Sequence, residues 1–147
     1  MFKHILIPTD GSTLSKKAIK RGIALAKSAR ARVTGFYVAP QFRIEIYGEY
    51  VPRNIVTPDQ HRAAMKRRAQ EYLAVIEKAA DAAGVRYRGH YVLSDFPYEA
   101  IVQTAKSKGC DLIFMASHGR RGLTGLLLGS ETTKVLTHSK IPVLVYR

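Results

Sequence analysis

A single cysteine, Cys110, excludes an intrachain disulfide. It precedes the apolar run Leu112-Ile-Phe-Met115, so it reads as a buried, inert thiol rather than a reactive one. No apolar run is long enough to span a bilayer. The opening Met1-Phe-Lys-His-Ile-Leu-Ile-Pro8 has too short an apolar stretch for a secretory signal, and no small-residue cleavage pattern follows. A cytoplasmic protein is therefore expected. Acidic residues are scarce, 11 Asp+Glu against 24 Lys+Arg, a formal charge of +13. Such a field attracts polyanions: nucleic acid, anionic lipid or nucleotides. The placement of the charge weakens the nucleic-acid reading. The densest runs, Lys16-Lys17 with Lys20-Arg21 and Lys66-Arg67-Arg68, fall inside helical patterns, where solvated faces explain them. No zinc-finger spacing, RNP-like aromatic motif or basic tail accompanies them.

Other absences narrow the chemistry. There is no Gly-x4-Gly-Lys-(Ser/Thr), hence no lysine placed as in a P-loop to reach β- and γ-phosphates. No Gly-x-Gly-x2-Gly follows a strand, so a dinucleotide fingerprint is unsupported. His4, His61, His90, His118 and His138 are scattered without metal-ligand spacing. No Ser/His/Asp order is recognisable as a triad.

What is present is an alternation of strand and helix patterns over 147 residues, 46% of them hydrophobic, as expected of one folded domain spanning residues 1–147. Strands are expected at about residues 3–9, 32–38, 85–93, 111–117 and 142–146. Pro8 ends or distorts the first of them. Helices are expected from 13 to about 30, 58–83, 98–108 and 130–137. The first carries Leu14, Ala18, Ile19, Ile23 and Ala26 at helical spacing. The second buries Met65, Ala69, Tyr72, Leu73, Ile76 and Ala80, and Gly84 is placed to stop it. Residues 40–58 break the pattern with Pro40, Pro52, Pro58, Gly48 and three aromatics, either an ordered surface loop or a lid. Alternating elements predict an α/β fold, an open, doubly wound, five-stranded parallel sheet with helices on both faces. Ligands of such sheets bind beyond the carboxyl ends of the strands. Asp10, Val38 and the segment 116–119 all lie at such ends.

The segment Met115-Ala-Ser-His-Gly-Arg-Arg-Gly-Leu-Thr-Gly-Leu-Leu-Leu-Gly-Ser-Glu-Thr-Thr133 joins an apolar strand to a helix start. Glycine permits close backbone approach, and helix amino-terminal amides are unpaired, so this stretch suits an anion. The residues leave alternatives open. Asp10 with Gly11 and Ser12 either shapes a turn and caps a helix or meets a ligand. Gly129-Ser130 is either a helix start alone or a phosphate seat. His118 orients the loop; Arg120 and Arg121 are solvated or attract an anion. Met115 packs in the core whatever else it does. Gly122 and Gly125 give loop flexibility or approach a ligand.

Taken in order, Ile5-Leu-Ile-Pro-Thr-Asp10 with Ser12, the strand ending at Val38, Ser117-His-Gly-Arg, Leu128-Gly-Ser-Glu and Pro142-Val-Leu-Val resemble the universal stress protein (UspA-like) family across essentially the whole chain. The resemblance implies a Rossmann-like, adenine nucleotide alpha hydrolase-like fold. ATP-binding members carry Gly-x2-Gly-x9-Gly-(Ser/Thr). The matching positions are Ala116, Gly119, Gly129 and Ser130, with Ala116 where the first glycine is expected. A methyl there crowds a phosphate unless the backbone has φ below zero.

The resemblance further implies that Asp10 accepts from ribose hydroxyls, that the Val38 backbone reads adenine, and that Pro8 and Met115 line the pocket. Gly119 and the amides near Gly129 and Ser130 would hold phosphates, with Thr132 as a further donor. Thr9, Ala116 and Glu131 adjoin these positions. With His118 and Arg120 beside the anion, they complete the candidate cofactor-binding set. The expected ligand is ATP, accompanied by Mg2+, acting as a regulatory switch in a stress response. Hydrolysis is expected to be slow at most, because no general base or clamping lysine is evident. A homodimer through the last strand and an unidentified protein partner are also expected. Two alternatives stand beside this one. One is a dimeric, chaperone-like interaction module that binds no nucleotide, favoured by Ala116. The other is a polyanion-binding protein, favoured by the charge.

Overall fold

The computed structural model describes residues 1–44, 48–50, 53, 55–120, 125 and 127–147. Their elements run β1 (His4–Pro8), α1 (Thr13–Ala29), β2 (Arg32–Ala39), α2 (Pro58–Ala83), β3 (Tyr87–Leu93), α3 (Pro97–Ser107), β4 (Leu112–Ala116), α4 (Ser130–His138) and β5 (Val143–Tyr146). The strands form one sheet in the order β3-β2-β1-β4-β5, with every pairing parallel. The strand order reverses direction between β1 and β4, which opens a crevice beyond their carboxyl ends. Among the described residues no helix is long and apolar enough to cross a membrane.

Period-two alternation divides each central strand between two cores. Ile5 and Ile7 of β1, with Leu112 and Phe114 of β4, pack under α1 and α2 beside Ile19, Ile23, Ile76 and Ala80. Leu6, Ile113 and Met115 face the other way, against Ile101 and Ala105 of α3 and Val135 of α4. Ile5, Leu6 and Ile7 are fully buried, and each such side chain contributes about 1.5–3 kcal/mol. A third cluster joins Tyr37 and Ala39 at the end of β2 to Met65 and Ala69 of α2. The buried Cys110 has its thiol pKa pushed up to about 11, chiefly by burial, so it stays protonated and inert near neutral pH.

The helix ends explain where the sequence reading misplaced boundaries. Gly84 adopts a left-handed conformation (φ 69°) and closes α2: its amide donates to Asp81 O, and the Val85 amide donates to Ala80 O. Val85 therefore completes the helix cap, and β3 begins at Tyr87 rather than Val85. Arg30 closes α1 the same way at φ 55°, with Ala31 N donating to Ala26 O. Thr57 and Gln60 form a reciprocal capping box that starts α2 at Pro58.

Of residues 40–58, Gln41 and Arg43 are tied to Asp95 at the end of β3, and the Phe42 ring meets His61 of α2 edge-on at 5.8 Å. Residues 45–47, 51, 52 and 54 lie outside the described residues, so the choice between loop and lid, with Tyr47, lies there too. Arg121 and Gly122 of the glycine loop also fall outside them.

Candidate functional site

The floor of the crevice is made where β1 ends. The Thr9 amide donates to Phe36 O at 2.9 Å, continuing the ladder past Pro8, which has no N–H to give. The Thr9 hydroxyl accepts from Gly11 N at 3.2 Å and from the Ser15 hydroxyl at 2.8 Å, which fixes the turn into α1. Ser12, not Asp10, is the amino-terminal cap of α1, accepting from Ser15 N. Asp10 shapes the turn: its Oδ1 accepts from Ser12 N at 2.9 Å. Gly11 has φ +76°, and a Cβ there would lie 2.5 Å from the Tyr72 ring, so the turn tolerates only glycine.

The other wall is the segment after β4. The Arg120 amide donates to Asp10 Oδ2 at 2.7 Å. Its Nε donates to the Asp10 carbonyl at 2.8 Å, and a terminal guanidinium nitrogen donates to the Tyr72 hydroxyl at 2.6 Å. The guanidinium carbon stands 5.3 Å from the centroid of the Tyr72 ring. A Cβ on Gly119 would sit 2.5 Å from Asp10 Oδ2, so this closure depends on glycine. Asp10, Arg120 and Tyr72 thus form a clasp from β1 across the glycine loop to α2.

The back of the site is the start of α4. Gly129 is its capping residue in extended conformation and offers no side-chain cap to the first turn. The Gly129 amide donates to Ser117 O at 2.7 Å, which pins the helix start against the end of β4. A Cβ on Gly129 would meet Ser117 O at 3.2 Å. Ser130 opens the helix and is exposed. Thr132 is buried, and its hydroxyl donates to Ala116 O at 3.0 Å, so it braces the strand end. The His118 Nδ1 meets the Ser117 hydroxyl at 3.0 Å, while its Nε2 is buried with no hydrogen-bond partner among the described residues. A buried, unsatisfied ring nitrogen is costly unless something else meets it.

Ala116 ends β4, paired with Tyr146, and its methyl packs against the core under α1 and α2. Among the described residues Arg30 is the one non-glycine with positive φ, so Ala116 stands in ordinary backbone. Met115 is buried in the core under α3 and α4, and Val38 packs partly against the same core. Pro8 is half-buried at the end of β1. Glu131 has a task sequence reasoning missed. Its Oε2 accepts from Tyr98 N at 2.9 Å and so caps α3, whose own capping position, Phe96, offers no side-chain bond. Tyr72 was also missed as a wall of the site; its helical spacing marked it only as part of a buried face. Its hydroxyl, the polar tip of a residue on an apolar stripe, was the available signal.

The universal stress protein family model matches residues 1–147. The chain belongs to the universal stress protein family. Universal stress protein MJ0531 of Methanocaldococcus jannaschii is 33% identical over 150 residues, covering 100% of this chain and 83% of the relative. Universal stress protein YxiE of Bacillus subtilis is 31% identical over 151 residues and covers 100% of both. Among solved structures, protein MJ0577 shares 30% identity at a TM-score of 0.81, covering 99% of this chain and 95% of that one. Two family members with a similar fold were solved with nucleotides. One is in complex with cAMP, at 24% identity and TM-score 0.68, covering 99% of this chain and 97% of that chain. The other, from Archaeoglobus fulgidus, is in complex with dAMP, at 15% identity and TM-score 0.66, covering 100% of this chain and 98% of that chain.

Proposed function

We propose that this universal stress protein binds an adenine nucleotide, ATP, in the crevice between β1 and β4, as a regulatory ligand rather than a substrate to be turned over. The observation that carries the reading is the start of α4. Its capping residue, Gly129, brings no side chain to the first turn and holds it against Ser117 at the strand end. Unpaired amides at a helix start suit phosphate oxygens. The buried Nε2 of His118, without a partner among the described residues, supports the same ligand. Ala116 is compatible, because its methyl packs into the core. Nucleotide complexes of the fold's other members, with cAMP and dAMP, point the same way.

In this reading the amides of Ser130, Glu131 and Thr132, with the Ser130 hydroxyl, hold phosphate, and the Val38 backbone meets the base. Asp10 accepts from ribose hydroxyls, for which Arg120 must release its Oδ2. Releasing the clasp moves the glycine loop relative to Tyr72 of α2, which changes the surface offered to a protein partner. Mg2+ arrives on the nucleotide, since a lone carboxylate is a poor cation site. Hydrolysis is slow, because both nearby carboxylates are already engaged: Asp10 by Ser12 N and the ribose, Glu131 by Tyr98 N. The chain pairs with its own copy through β5, an apolar strand at a sheet edge with Leu144 39% exposed.

One observation favours a second reading, a dimeric interaction module without nucleotide: the Asp10 carboxylate is satisfied from within the chain. Calorimetric titration of nucleotide-stripped protein with ATP and Mg2+ separates the two. Saturation near one ATP per chain supports the switch; no heat at high micromolar ATP overturns it.

A further inference from the structure

The two densest basic runs of the sequence, on different helices, meet in the folded chain. Between the first turn of α1 and the middle of α2 lies a cavity of about 390 Å³, lined by Lys16, Arg67, Arg68 and Arg120 with Glu71 and Tyr72. Thr9 and Gly11, at the floor of the crevice, also line it, but no residue of β4 or α4 does, so it adjoins the crevice and stands apart from the phosphate seat at Gly129 and Ser130. Four cations face one carboxylate. The ion pairs among the described residues are Arg43–Asp95, Arg62–Asp59 and Lys134–Glu131, so among those residues none of the four pairs with a carboxylate. The first turn of α1 carries no acidic residue, although the Asp10 carboxylate meets the Ser12 amide just before it. Like charges converging on one concavity repel each other, and a multiply charged anion removes that repulsion.

The arrangement is partly preorganised. Arg120 is anchored by its bonds to the Asp10 carbonyl and the Tyr72 hydroxyl, and Tyr72 is braced edge-on against Tyr37 at 5.1 Å. Guanidinium groups match phosphate geometry bidentately, and Lys16 adds a point charge. A second groove shares Lys16 and Val75 with the cavity and extends it past Lys17 and Lys20. The cations converge around a pocket instead of following a line, and Glu71 interrupts them. That shape suits a compact ligand rather than a continuous phosphodiester backbone.

We propose that the cavity between α1 and α2 is a second anion site, taking a compact, multiply phosphorylated small molecule of which pyrophosphate is the minimal form, apart from the phosphate seat at Gly129 and Ser130.

The test is calorimetric titration of the full chain with pyrophosphate at low ionic strength. Three proteins are compared: the unaltered chain, the pair Arg67→Gln and Arg68→Gln, and the pair Lys106→Gln and Lys140→Gln. All four substituted side chains are exposed, so the fold tolerates the changes, and both pairs remove the same charge. The proposal expects one saturable pyrophosphate per chain. The α2 pair weakens it at least about tenfold, the distant pair less than about twofold, and the binding stays saturable in saturating AMP. It is overturned by an absence of saturable binding. It is equally overturned by equal losses in both pairs, which mark diffuse net charge, or by abolition in saturating AMP, which places the anion in the crevice. Tighter binding of a single-stranded oligonucleotide, lost in the α2 pair alone, would also overturn it in favour of a nucleic-acid surface.

Discussion

Arg120 and Asp10 hold each other twice: the Arg120 amide donates to Asp10 Oδ2 at 2.7 Å, and its Nε donates to the Asp10 carbonyl at 2.8 Å. In the proposed reading the first of these bonds uses the oxygen a ribose would need, so the clasp and the nucleotide would compete. The clasp is steadied from outside by the Tyr72 hydroxyl, 2.6 Å from the guanidinium. Tyr72→Phe loosens it without removing a charge or an aromatic face. Nucleotide affinity is expected to rise roughly threefold to tenfold, the scale of one net hydrogen bond. Fluorescence titration with a labelled adenine nucleotide measures it; unchanged or weaker binding would show that the clasp does not oppose the ligand.

The first turn of α4 offers a cleaner test of the phosphate seat than a side-chain deletion. Gly129 already has φ −71° and ψ 160°, the extended backbone favoured before proline. Ser130→Pro therefore keeps the helix while removing one amide donor together with the hydroxyl. ATP affinity is expected to fall roughly tenfold or more, and Ser130→Ala to lose less. Circular dichroism checks that helix content is kept. Equal losses in the two variants would assign the effect to the hydroxyl alone.

The opposite end of the sheet sets a pH dependence. His4 is buried under α3, sharing a 2.8 Å hydrogen bond with the Thr34 hydroxyl. Burial, assisted by Arg32, lowers its pKa below the ordinary 6.5. His90 is lowered in the same direction by burial and by Lys108. The unfolded chain then takes up protons that the folded chain refuses. Stability is full above pH 6.5 and is lost as pH falls through the folded-state values. The urea midpoint should drop between about pH 7 and about pH 5, and His4→Gln should flatten that drop. A midpoint independent of pH over this window would contradict the assignment.

At the sheet edge, Leu144 stands 39% exposed on β5. A lysine on an edge strand opposes strand-to-strand pairing. Leu144→Lys is expected to convert a dimer to a monomer at micromolar concentration in sedimentation velocity, with the fold retained. A chain already monomeric before substitution would remove the dimer from the account.

Much of this architecture was legible from the residues themselves. Apolar runs such as Ile5-Leu6-Ile7 and Leu112-Ile-Phe-Met115 mark central strands, and Gly84 marks a helix end, because burial and left-handed backbone leave local signatures. Arg30 gave no such signal: it adopts φ 55° without being glycine. Val85 looked like strand because it is β-branched, yet its amide finishes the cap of α2. At the site, the spacing of Gly119, Gly129 and Ser130 was readable. The partners of these residues were not. Glu131 caps α3 by accepting from the Tyr98 amide, 33 positions earlier. The meeting of Lys16 with Arg67 and Arg68 depends on how α1 packs on α2. Local patterns report burial and turns; they carry little about which surfaces meet.

The measurement closest to the central claim is a map of backbone amide shifts as stripped, isotope-labelled protein is titrated with ATP and Mg2+. The account predicts saturable changes concentrated at Ser130, Glu131, Thr132 and Gly119, with Asp10 and Arg120 moving together as the clasp opens. No change at these amides at saturating ATP, or changes confined to the cavity beside Arg67 and Arg68, would contradict it.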